Sequence, residues 1–187
     1  MPQTVGRNND VQDVTEDGYA FVETRGETFA ANAARMAQRS FTISAEDAGP
    51  VAGEYTLWVY NNATERRNLI IDKVNTWQVD ADCVWRLWEV TGTGAGAALI
   101  TAKNTYLGSA ISTGDLVCRG GAGGVTGLTV VGNWIDTWGG GYVYNTQNQD
   151  ILSSVIIEPG RAVAVEYDAG TGGRAGATII AHFYPYL

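Results

Sequence analysis

The feature that most constrains this chain is its punctuation by glycine. Of its 187 residues 24 are glycine and only 4 are proline, against roughly 7% glycine in an average protein. Between the glycines stand short runs of aromatic, aliphatic and β-branched residues. Glycine reaches positive φ at no steric cost, so such spacing marks tight turns. There is no Gly-X-Y period, as collagen requires, and the apolar runs exclude a disordered linker. A chain built this way folds as many short strands joined by turns.

The strand signals begin at Ser40. Phe41 and Ile43 open an alternation that stops at Gly49-Pro50, and Tyr55 to Tyr60 (YTLWVY) suits a pleated surface. Asn61-Asn62-Ala63-Thr64 reads as a turn, followed by a strand over Arg67 to Val74. In the next strand, Cys83 to Val90, Val84, Arg86 and Trp88 share one face and Trp85, Leu87 and Glu89 the other. Thr91 to Gly96 reads as a loop before a short strand at Ala98 to Thr101. The glycine cluster Arg119 to Gly124 begins a segment, Gly120 to Gly127, that reads as a flexible surface loop or an intersubunit contact. Further strands are expected over Leu128 to Trp134, Tyr142 to Tyr144, Ile151 to Ile157, Arg161 to Tyr167 and Ala177 to Tyr186, with turns at Gly139-Gly140-Gly141 and Glu158-Pro159-Gly160 and a glycine loop over Ala169 to Gly176. About nine or ten short strands and no strand–helix alternation predict an all-β fold, an antiparallel β-sandwich.

Residues 1–39 differ from the remainder. Gln3 to Asp17 is polar, without apolar periodicity, and Tyr19, Phe21 and Val22 form a short apolar patch after it. Thr24-Arg25-Gly26-Glu27 has capping-box spacing, and Phe29, Ala33 and Met36 fall on one face of a short helix over Glu27 to Gln38. So short a helix needs a docking surface. The division is therefore an extended N-terminal arm, 1–39, before a sandwich domain, 40–187.

The residues argue against catalysis. The single histidine, His182, lies inside the last apolar strand, and one histidine supplies neither a metal site nor, without a Gly-x-Ser-x-Gly elbow, a triad. Asp80 and Asp82 read as a solvated loop before a strand, and the segment Gly120 to Gly127 lacks the Gly-Lys-Ser/Thr ending of a phosphate loop. Cys83 and Cys118 have no CxxC spacing; a disulfide between them stays open, with free thiols in a cytoplasm as the default. A net charge of −8 disfavours direct nucleic-acid binding, favours solubility and suits a basic partner surface. The polar start has no signal-peptide core, and no apolar run approaches the roughly 18 residues of a membrane span. No enzyme, cofactor or metal is expected.

Six tryptophans and nine tyrosines are the richest chemical feature. Flat rings stack on sugars, and they also fill cores and subunit interfaces. Trp85 and Trp88 point to opposite faces of one strand, so one of them leaves the core on that side. Trp134 and Trp138, beside a glycine-rich turn, are the candidates for exposed contact.

The run from Gly53 to Val74 (GEYTLWVYNNATERRNLIIDKV) resembles a strand–turn–strand pattern of small tailed-bacteriophage virion proteins, with Asn61-Asn62-Ala63-Thr64 where that pattern carries Asn-Pro. Ile156-Ile157-Glu158-Pro159-Gly160-Arg161, leading into an alternating strand, resembles their late hairpin. The resemblance implies a jelly-roll-like capsid decoration (cement) protein, assembled in the host cytoplasm into the virion. It implies a homo-oligomer, with a trimer favoured, bound to the major capsid protein or another virion protein. Tyr19, Phe21, Val22, Phe29, Met36, Trp134 and Trp138 are then the expected partner contacts. A tail or fibre component, or a carbohydrate-binding host-recognition module, is the alternative.

Overall fold

The computed structural model of the chain describes residues 4–5, 11–14, 20–21, 39–79, 83–107, 116–140, 145–168 and 173–184. Three short strands, β1 (Thr4–Val5), β2 (Val11–Val14) and β3 (Ala20–Phe21), pair antiparallel in chain order within the arm. Sequence periodicity gives no sign of them, because backbone pairing alone requires no apolar pattern. The helix expected over 27–38 lies outside the described residues.

The remaining strands are β4 (Ser40–Asp47), β5 (Glu54–Asn61), β6 (Asn68–Gln78), β7 (Cys83–Ile100), β8 (Lys103–Asn104), β9 (Leu116–Val130), β10 (Asp136–Gly140), β11 (Asn145–Ile157), β12 (Arg161–Asp168) and β13 (Ala175–Tyr184). They form two five-stranded antiparallel sheets. One has the order β11-β6-β13-β4-β8, the other β10-β7-β12-β5-β9, and there is no helix among the described residues.

Alternation decides which side chains meet between the sheets. Leu57 and Val59 of β5, Trp85 and Leu87 of β7, and Val163, Val165 and Tyr167 of β12 point inward from one sheet. Phe41 and Ile43 of β4, Ile157 of β11, and Ala177, Ile179, Ala181 and Phe183 of β13 meet them from the other. A bulge at Asp72, where β13 passes from Lys73 to Ile71, resets the alternation of β6. Leu69 and Ile71 face inward before it; Val74, Thr76 and Gln78 do so after it. The last two supply a buried polar belt. Thr76 Oγ1 accepts from Trp138 Nε1 at 2.9 Å, and Gln78 Oε1 accepts from Trp85 Nε1 at 2.8 Å and from Cys83 Sγ at 2.6 Å. Both indole N–H groups thus enter the core with partners, as burial demands.

The glycine-rich segments correct the sequence reading. Thr91 to Gly96, expected as a loop, continues β7, and the segment Gly120 to Gly127, expected as a flexible surface loop if not a subunit contact, belongs to β9. Residues 83–90 of β7 lie beside β10 and β12, whereas residues 90–100 pair with β9, and β9 in turn pairs with β5. The path β7–β12–β5–β9–β7 therefore closes on itself. Inside it lies a second core on the outer face of the sheet: Trp58, Val90, Ala97, Val125, Ala162 and Ala164 are buried together. Glycine is needed because the two glycine-rich strands curl tightly over Trp58. Gly94 sits at φ +54°, and a Cβ there would stand 2.8 Å from the Trp58 ring; a Cβ at Gly92 would overlap the Gly127 carbonyl oxygen.

Other boundaries shift as well. The strand expected over Leu128 to Trp134 is the end of β9 and stops at Val130. Gly139 and Gly140, expected in a turn, pair with Val84 and Cys83 in β10. The expected strand 142–144 and the pair Asp80 and Asp82 lie outside the described residues. Cys83 and Cys118 are both buried, and no disulfide joins them.

Candidate functional site

Two surfaces carry chemistry, one on the second sheet and one where the edges of the two sheets meet. The first is the outer face beside the small closed core. A bulge at Thr56 brings Tyr55 opposite Glu166, and on the other side Glu166 is opposite Arg86, so three strands place Tyr55, Glu166 and Arg86 in one row. The neighbouring row holds Trp58, Ala164 and Trp88. Ala164 is small enough to leave the two indoles room on either side of it.

The row is tied together by charge. Trp88 Nε1 donates to Glu166 Oε2 at 2.6 Å, and Arg86 Nη1 donates to the same oxygen at 3.2 Å. Arg86 also holds Asp168 Oδ2 at 2.6 Å. Such charge-assisted bonds are short and directional. They raise the Arg86 pKa above its ordinary value, the bond to Asp168 being the largest cause. Tyr55 is likewise raised, first by burial and then by the Glu166 charge. Over this network stands Trp134, from the connection between β9 and β10. Its ring meets Trp88 edge to face, with centroids 5.7 Å apart at 84°, and the Arg86 guanidinium carbon lies 5.7 Å from its centre. Trp134 remains 50% exposed.

The second surface is a groove of about 350 Å³ lined by Val155, Ile156 and Ile157 of β11, Ala162 and Val163 of β12, and Ile135. Ile156 is 58% exposed and Ile135 is also exposed. Glu89 and Arg161, paired at 3.3 Å, line the same groove. Val131, another exposed aliphatic residue, is bonded through its N–H to the Glu89 carbonyl.

Of the residues singled out in the sequence, Trp134 stands at the first surface. Trp138 does not join it: four residues later it points inward from β10, bonded to Thr76 and 7% exposed. Its expected exposure is therefore corrected. Phe21 belongs to β3; Tyr19, Val22, Phe29 and Met36 lie outside the described residues. Trp85 and Trp88 separate as alternation requires, Trp85 into the main core and Trp88 onto the outer face. His182 is buried in β13, its Nδ1 2.7 Å from Asp72 Oδ2 at the bulge. Sequence reasoning missed Arg86, Glu166 and Asp168. The alternation of Arg161 to Tyr167 puts Glu166 on the alanine face, but its partners lie 78 and 80 residues away.

Among the described residues no three His, Cys, Asp or Glu side chains gather as a metal site. The outer face offers a fixed carboxylate–guanidinium pair and an exposed ring, which suits recognition. The chain matches no protein-family model, no curated protein and no solved structure.

Proposed function

We propose that this chain is a structural virion protein, a capsid decoration or cement protein that reinforces a shell through contacts alone. The observation that carries the reading is strand order. With β8 and β9 set aside, the sheets run β11-β6-β13-β4 and β10-β7-β12-β5, and the chain changes sheet at every connection except β7 to β10. That order supports a jelly roll, an architecture used by viral capsid domains among others. Because fold alone does not assign function, the surface must supply contacts, and the groove with Ile135, Ile156 and nearby Val131 offers an exposed apolar area of the kind that marks interfaces.

In this reading the arm, with its short helix over 27–38, lies on a neighbouring subunit or on the major capsid protein, using Tyr19, Phe21, Val22, Phe29 and Met36. The chain assembles as a trimer. Binding that exists only in the finished shell stabilises that state by mass action, by about 2.7 kcal/mol when free ligand is 100 times its Kd.

The test compares particles assembled with and without the chain. Heating with a nucleic-acid dye present reads genome release, and complete particles are expected to release at the higher temperature. Equal release temperatures overturn the reading, as does a purified chain that stays monomeric in sedimentation and is not retained on particles.

A further inference from the structure

We infer that the outer face around Trp134 binds neutral carbohydrate, one pyranose ring stacking on the exposed indole. The inference does not rest on the capsid reading, because it uses a different surface and needs no assembled particle.

The platform is rigid before any ligand arrives. Trp134 is half exposed yet held edge-on by Trp88 and covered on one side by Arg86. Those two side chains are themselves held by Glu166 and Asp168. A ring fixed in this way loses little conformational entropy when it binds.

The polar groups select the ligand. Among the described residues, the bonds that fix Arg86 and Trp88 fall on Glu166 Oε2 and Asp168 Oδ2. Asp168 Oδ1 takes no part in them, and Asp168 is the more open carboxylate, with 39% of its side chain exposed against 12% for Glu166, whose Oε1 lies toward Gly53. The Asp168 carboxylate, the Arg86 guanidinium it holds and the Trp134 ring beside that guanidinium therefore form one patch. A sugar ring matches all three, since its C–H face meets the electron-rich ring while adjacent hydroxyls donate to carboxylate and accept from guanidinium.

Other ligand classes fit less well. A lysine or quaternary ammonium would seek the face of Trp134, where Arg86 already supplies a cation. An anionic sugar or phosphate would meet two carboxylates against one guanidinium. A wholly apolar ligand would cover these charges without bonding them. The surface is open and contacts one side of the ligand, so a single sugar is expected to bind weakly, on the order of millimolar. Useful affinity then comes from repeated units on a polymer.

The experiment uses the full chain and measures retention on insoluble cellulose, chitin and mannan, and retardation in gels containing soluble glucan or mannan. Poly-lysine and heparin columns serve as charged comparators. The variants are Trp134→Ala, Asp168→Asn and, as a control, Tyr106→Ala, an exposed ring in the segment after β8. Wild type and Tyr106→Ala are expected to bind at least one neutral polymer equally. Trp134→Ala is expected to weaken that binding by about tenfold, the effect of losing one stacked ring, and Asp168→Asn to weaken it with the melting temperature unchanged. No retention on any neutral polymer overturns the inference. So does retention that both Trp134→Ala and Asp168→Asn keep, or a preference for poly-lysine or heparin that Trp134→Ala abolishes.

Discussion

Replacing Gly94 by alanine tests the claim that the glycine-rich segments are ordered strands closed over Trp58. Gly94 lies in β7 at φ +54°, where an L-residue costs about 1 kcal/mol relative to glycine. The added methyl would also stand 2.8–3.1 Å from three Trp58 ring atoms. Trp58 is 1% exposed and stacked on Tyr60, so it has little room to withdraw. Overpacking of this kind costs about 1–3 kcal/mol. The sum is roughly 2–4 kcal/mol, which for a chain of this size lowers the melting temperature by roughly 5–15 °C. Urea unfolding followed by tryptophan fluorescence should show a lower midpoint at an unchanged slope. Gly49→Ala is the internal control: a Cβ there meets nothing within 4 Å and needs no left-handed backbone, so its stability should hold or rise by up to about 0.5 kcal/mol. A flexible loop at Thr91 to Gly96 would let Gly94→Ala behave like Gly49→Ala, and that result would refute the closed core.

Three further predictions concern buried polar groups. Asn61 is fully buried and its Nδ2 donates to the Arg67 and Ile157 carbonyls, each at 2.9 Å. Asn61→Ala strands both oxygens and should cost about 2–4 kcal/mol in urea unfolding; a loss below about 1 kcal/mol would mean that water reaches them. Cys83 and Cys118 should resist a thiol reagent in the folded protein and react in urea, since both are buried thiols outside any disulfide. Burial pushes the Cys118 thiol from its ordinary 9.0 up to about 12. The folded chain thus keeps a proton that the unfolded chain releases. The stability from this group is complete below pH 9 and is lost between pH 9 and 12, by about 1.4 kcal/mol per pH unit. Cys118→Ala should flatten that alkaline decline, and an unaltered decline would place its cause elsewhere.

The sequence by itself determined the all-β character and the facing of the strands that carry side chains. In Leu57 to Tyr60, Cys83 to Val90 and Arg161 to Tyr167 the period of two is written in residue type, and the turn at Glu158-Pro159-Gly160 forms as expected, with Arg161 N–H bonded to the Glu158 carbonyl at 3.0 Å. Tertiary structure alone decided the rest. Glycine carries no side-chain period, so 91–96 and 120–127 read as loops until each is seen to pair with a distant partner. The bulges at Thr56 and Asp72 reset facing without any local mark. Trp134 and Trp138 look equivalent in sequence, yet one stands in a connection and the other reaches Thr76, 62 residues away, across the core. The Arg86–Glu166–Asp168 surface arises in the same way: each residue is ordinary in its own strand, and only the pairing of β7 with β12 brings their charges together.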